Sequence, residues 1–135
     1  MQNEWIEFIK AAVKNPLKVS TIFPTSKALA ERLLNLADLG GDGLVAEIGC
    51  GTGAITKHLA PRLSDPSRYI GMELNGDMID FLRAHFEGLR FEHGPAEDLP
   101  KFTGKGTVST VVSSLPWTIF SDDLQKRTMN GVVEA

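Results

Sequence analysis

The stretch Leu44-Val45-Ala46-Glu47-Ile48-Gly49-Cys50-Gly51-Thr52-Gly53 constrains the chain more than any other. Its apolar first half reads as a buried parallel strand. Glycines at 49, 51 and 53 then permit a sharp turn and a close approach of backbone to a ligand. Ala54 to Leu63 is predicted as a helix with Ile55 and Leu59 on its inner face. Its free N–H groups and positive dipole end would point at that ligand. Strand, glycine turn and helix start make a cradle for a nucleotide-like cofactor.

Glu73 follows Gly53 by about 20 residues and ends a second strand. A carboxylate there accepts from both hydroxyls of a ribose, which NAD and S-adenosylmethionine share. Two features favour the second. Glu47 lies inside the strand, where a carboxylate would face the ammonium of a methionine moiety, and Ser114-Leu115-Pro116-Trp117 closes a later strand. Glu-x-Gly-x-Gly followed by that tetrapeptide resembles the class I S-adenosylmethionine-dependent methyltransferases. The resemblance implies that Glu47, Gly49, Gly51 and Gly53 line the methionine end, with Glu73 and the adjacent Leu74 at the ribose. In the family an Asp stands where this chain has Pro95 and accepts from the adenine amino group. Proline cannot do so, which leaves the Ala96 N–H and the Glu97 carboxylate for the ring.

Residues 3 to 14 have the spacing of an amphipathic helix, with Trp5, Phe8, Ile9, Ala12 and Val13 on one side. Four lysines against two glutamates make the first 27 residues locally positive. About 12 helical residues span roughly 18 Å, too little to cross a bilayer. Packing on the chain's own core and lying in a membrane interface are the two readings of that helix. The stretch from Phe8-Ile9 through Phe23-Pro24-Thr25-Ser26-Lys27-Ala28-Leu29-Ala30 resembles the start of bacterial phospholipid N-methyltransferases. That resemblance favours the interfacial reading. Residues 1–25 are therefore expected to form a membrane-surface segment, and 26–135 the cofactor-binding core.

After the first segment a helix over 26–39 is predicted to bury Leu29, Leu33, Leu36 and Ala37. Strands follow at about 68–73, 89–92 and 107–113. A helix over 77–86 is predicted to bury Met78, Phe81 and Leu82, and Ser121-Asp122-Asp123 caps a last helix. The β-α alternation predicts an α/β fold, a Rossmann-like doubly wound parallel sheet with helices on both faces. The family fold carries further strands after that last helix, so the chain is expected to be shortened. Strand four would then be an open edge, inviting self-association.

Composition excludes little but points one way. The net charge of −3 supplies no field for nucleic acid. The single cysteine, Cys50, reads as a small spacer, and His58, His85 and His93 show no metal spacing. No signal peptide or membrane span is evident, which predicts a cytoplasmic protein at the inner face of the membrane. The resemblance implies transfer of methyl groups from S-adenosylmethionine to the amine of phosphatidylethanolamine. Ser114 Oγ and the Leu115 carbonyl would orient the amine, Pro116 would fix the turn, and Trp117 would face the cationic centre. Similar tetrapeptides mark the ribosomal RNA adenine dimethylases, the alternative enzyme. A cofactor-binding fragment without turnover and an NAD enzyme are the remaining readings.

Overall fold

The computed structural model describes residues 26–135. The helix expected at 3–14 and the membrane-surface segment at 1–25 lie outside them. Four parallel strands, β1 (Leu44–Ile48), β2 (Tyr69–Glu73), β3 (Arg90–His93) and β4 (Val108–Ser113), form one sheet in the order β3-β2-β1-β4. Successive side chains of a strand point to opposite faces, so β1 feeds two cores. Val45 packs with Tyr69, Phe91 and Val112 on one side. Ala46 and Ile48 pack with Ile70 and Met72 on the other.

The helices divide between those faces, as a doubly wound sheet requires. The first core is covered by α1 (Lys27–Leu36) through Ala30 and Leu34, by α2 (Thr56–Leu59) through Leu59, and by α3 (Gly76–His85) through Ile79 and Leu82. The second is covered by α4 (Leu99–Thr103) through Leu99 and by the end of α5 (Asp122–Glu134) through Val132. The caps explain where the longer helices begin. Ser26 accepts from Leu29 N, Asn75 from Asp77 N and Met78 N, and Ser121 from Leu124 N. Asp122 and Asp123 add negative charge at the positive end of α5.

Three local expectations are corrected. The buried stripe of α1 comprises Ala30, Leu33, Leu34 and Ala37, whereas Leu29 and Leu36 are exposed. The helix expected over 54–63 is α-helical only at Thr56–Leu59. Residues 51–55 are turn, and Ala60–Arg62 tighten to 3-10 around Pro61, which has no N–H to donate. In α3 the inner positions are Ile79 and Leu82, while Phe81 lies outside and stacks on His85 with ring centroids 3.9 Å apart.

Arg68, just before β2, is 7% exposed and holds the approach to β1. Its guanidinium donates to the carbonyls of Gly43, Leu39 and Gly40 at 2.8, 2.9 and 2.9 Å. Where α5 ends, the N–H groups of Gly106, Thr107 and Val108 donate to the carbonyls of Glu134 and Ala135. β4 is one margin of the sheet among the described residues. No helix among them is long and apolar enough to cross a membrane.

Candidate cofactor site

A parallel sheet presents its ligand site where the strand order reverses, here between the carboxyl ends of β1 and β4. The glycine turn leaves β1 at that point. Gly49 has φ +79°, its N–H donates to Met72 O at 2.9 Å, and a Cβ there would stand 2.8 Å from Leu115 Cδ2. Only glycine allows the ends of β1 and β4 to close up in this way. Gly53, at φ +84°, is equally constrained, because a Cβ would meet the Phe86 ring at 2.5 Å.

Glu73, at the end of β2, is 2% exposed and braces the turn. One carboxylate oxygen accepts from Gly51 N at 2.7 Å and the other from Asn75 N at 3.1 Å. A carboxylate offers about four acceptor positions, so two remain for a ligand. Beside it opens a cavity of about 300 Å³ between the strand ends and α5. Gly49, Glu73, Leu74, Ala96, Glu97 and Leu115 all line it, joined by Pro95, Leu124 and Thr128.

Other residues singled out from the sequence fall elsewhere. Glu47 does not reach the cavity. It points to the face covered by α1–α3, where Tyr69 OH and Thr56 Oγ1 each donate to its Oε2 at 2.7 Å, and its Oε1 has no partner. Full burial pushes its pKa up from 4.5 to about 7, against the lowering effect of those two hydrogen bonds. The expected contact between Glu47 and a ligand ammonium is therefore replaced by an internal brace under the glycine turn. Burial also pushes the Cys50 thiol well up, so the cysteine is an inert spacer. Gly51 and Gly53 shape the turn without lining the cavity.

The Glu97 carboxylate is already engaged, taking both its oxygens to Arg127 Nη1 at 2.8 and 2.7 Å. It lines the cavity with acceptor positions left over, held in place by that pair.

In the tetrapeptide after β4 only Leu115 lines the cavity. Ser114 N donates to Ile48 O at 3.1 Å, and the Leu115 carbonyl accepts from Trp117 N at 2.9 Å. Trp117 does not face the cavity. Its ring packs on the second core and against Phe120, and its Nε1 donates to Ser113 Oγ at 2.9 Å.

The sequence reading missed Ser113, because it ends a run of β-branched residues and reads as plain strand. Its hydroxyl also accepts from Leu115 N at 3.2 Å, so one oxygen organises the whole turn. Gln125 was missed as well; its side-chain amide donates to the carbonyls of Trp117 and Phe120. Ser113→Ala is expected to lower stability by about 1 kcal/mol, read by urea unfolding, through loss of its bonds to Trp117 and Leu115. An unchanged midpoint would show that the turn is held without it.

The residues present fit S-adenosylmethionine. Leu74, Pro95, Leu115 and Leu124 offer apolar walls to a purine plane, Glu73 keeps acceptor positions for ribose hydroxyls, and Gly49 admits close approach of backbone. No group of three or more metal-ligating side chains occurs among the described residues.

Residues 45–135 match the family model described as a methyltransferase domain. An ornithine lipid N-methyltransferase from Singulisphaera acidiphila is 29% identical over 88% of this chain and 65% of its own length. A ribosomal RNA small subunit methyltransferase A from Parasynechococcus marenigrum is 33% identical over 69% of the chain and 32% of its own length. The chain thus spans less than two thirds of either curated relative. Among solved structures, the geranyl diphosphate C-methyltransferase of Streptomyces coelicolor, in complex with S-adenosylhomocysteine, superposes with a TM-score of 0.53 at 26% identity. That match covers 64% of this chain and 33% of the other. Sequence match, sheet order and cofactor-shaped cavity agree: the chain belongs to the methyltransferase-domain family, in the class that uses S-adenosylmethionine.

Proposed function

We propose that this chain carries the cofactor-binding core of an N-methyltransferase that methylates the amine of phosphatidylethanolamine at a membrane surface. The observation that carries the reading is the turn beside the cavity, where Ile119 and Phe120 line the rim and Ile119 is exposed. Apolar groups beside a cofactor site suit a substrate presented at a lipid interface. The ornithine lipid N-methyltransferase, whose name describes methylation of a lipid, supports it over most of the chain.

S-adenosylmethionine supplies an electrophilic methyl group on a sulfonium. The chain's residues have to orient a neutral amine toward it, and orientation can lower a barrier by about 7–11 kcal/mol. The Leu115 carbonyl keeps a lone pair after accepting from Trp117 N. On this reading the Leu115 carbonyl and the Ser114 hydroxyl, which follow β4, would accept hydrogen bonds from the amine and aim its nitrogen. Pro116 sets the direction of the following turn.

Incubation with methyl-labelled S-adenosylmethionine tests the reading. Vesicles containing phosphatidylethanolamine should take up label, whereas vesicles of phosphatidylcholine, which has no free amine, and ribosomal RNA should not. Label in ribosomal RNA alone would replace this reading with the adenine dimethylase one.

A further inference from the structure

A second cavity, of about 210 Å³, opens beside the glycine turn and shares no lining residue with the cofactor cavity. Its wall includes Thr52 and Gly53 of that turn, Lys57 of α2, and Phe81, His85 and Phe86 around the end of α3. The two cavities differ in charge. Glu73 and Glu97 line the first, whereas no carboxylate lines the second. In a chain of net charge −3, the only titratable side chains on this wall are basic, those of Lys57 and His85. Such an opening selects for an anion.

Both basic groups have capacity to spare. Lys57 joins none of the ion pairs among the described residues, so its three ammonium hydrogens are available to a ligand. His85 Nδ1 lies 2.9 Å from the Phe81 carbonyl oxygen. A carbonyl can only accept, so Nδ1 carries the hydrogen and Nε2 is the atom left for a ligand. Neutral, Nε2 accepts from a phosphate hydroxyl; protonated, it donates to a phosphate oxygen. Phe81 stacks on the imidazole with the two rings 23° apart, which holds its plane. Thr52 adds a hydroxyl from a third element. Groups on three elements around one opening match a tetrahedral anion, whose oxygens point in several directions, better than a planar carboxylate. Phe81, 40% exposed, gives the opening an apolar edge that suits the carbon side of an ester.

We propose that this cavity is a second ligand site, which binds the phosphate of a phosphate ester, with Lys57, His85 and Thr52 holding its oxygens. A phospholipid headgroup and a small soluble ester share this chemistry, and the site does not depend on what the cofactor cavity holds.

The test is titration of the isotopically labelled chain with glycerol 3-phosphate, followed by amide NMR shifts. Saturable shifts are expected at Thr52, Gly53 and Lys57, with or without S-adenosylhomocysteine present, and glycerol alone should move none of them. Lys57 is exposed, so Lys57→Met leaves the core intact. It should weaken binding about fivefold, as for loss of one partly exposed charge pair. Vesicles of phosphatidylcholine containing phosphatidic acid separate the two sources. Co-sedimentation that weakens in Lys57→Met and is competed by glycerol 3-phosphate assigns a lipid headgroup; binding of the soluble ester without that vesicle effect assigns a small ester. Absence of saturable shifts at these residues, or equal affinity in Lys57→Met, would overturn the site while leaving the cofactor cavity untouched.

Discussion

Glu73→Ala is expected to weaken S-adenosylhomocysteine by about 10- to 150-fold, the range for losing a hydrogen bond to a charged acceptor. The carboxylate is buried at the end of β2, and each oxygen already accepts one backbone N–H, from Gly51 or from Asn75. Those two bonds fix its orientation in advance, so little side-chain freedom is lost when a ribose binds. Removing it also frees the Gly51 N–H, which loosens the turn on which the ligand rests. Glu73→Gln separates the two effects, because it retains an acceptor oxygen for one of the N–H groups while losing the charge. Titration calorimetry reads both variants. Equal affinity in Glu73→Ala and the unaltered chain would move the ribose away from β2.

The second large effect concerns pH and stability, and its source is Glu47. An unfolded glutamate titrates near 4.5, whereas burial holds the folded group at about 7. The folded chain therefore binds more protons than the unfolded one between those values. By linkage, stability falls as pH rises through that window. Below pH 4.5 both states are protonated and Glu47 costs nothing on this account. Above pH 7 both are ionised and the full penalty is present, about 3 kcal/mol for a shift of this size. The comparison is with Glu47→Gln, which stays neutral at every pH. The unaltered chain should lose about 3 kcal/mol relative to Glu47→Gln between pH 4.5 and pH 8, by urea unfolding at each pH. Parallel stability curves for the two proteins would show that Glu47 is ionised without penalty.

Glu47 also shows where sequence reasoning reaches and where it stops. The strand, the turn and their order were legible, because Leu44–Ile48 is a continuous apolar run and three glycines follow at alternate positions. Glu73 was legible from its distance along the chain. The face to which Glu47 points was not. A strand's alternation fixes which residues share a side, but only the placement of α2 and Tyr69 decides which side meets the cavity.

The same limit applies to α1 and the β4 turn. Leu29, Leu33, Leu36 and Ala37 made a plausible apolar stripe, yet the buried one is turned to Ala30 and Leu34, since packing against the first core sets the rotation of a helix. Ser113 and Ser114 are chemically alike, and only the position of the Trp117 indole shows which hydroxyl holds the turn. Glu97 was named from the sequence without its partner Arg127, which is 30 residues away in the chain. Contacts of that kind carry no local signature.

The ends of β1, β2 and β4 build the site for S-adenosylmethionine. Calorimetric titration of the chain with S-adenosylhomocysteine, and separately with NADH, tests it most directly. Saturable binding of one S-adenosylhomocysteine per chain is expected, with no heat of binding for NADH. Binding of NADH, or no response to S-adenosylhomocysteine, would contradict it.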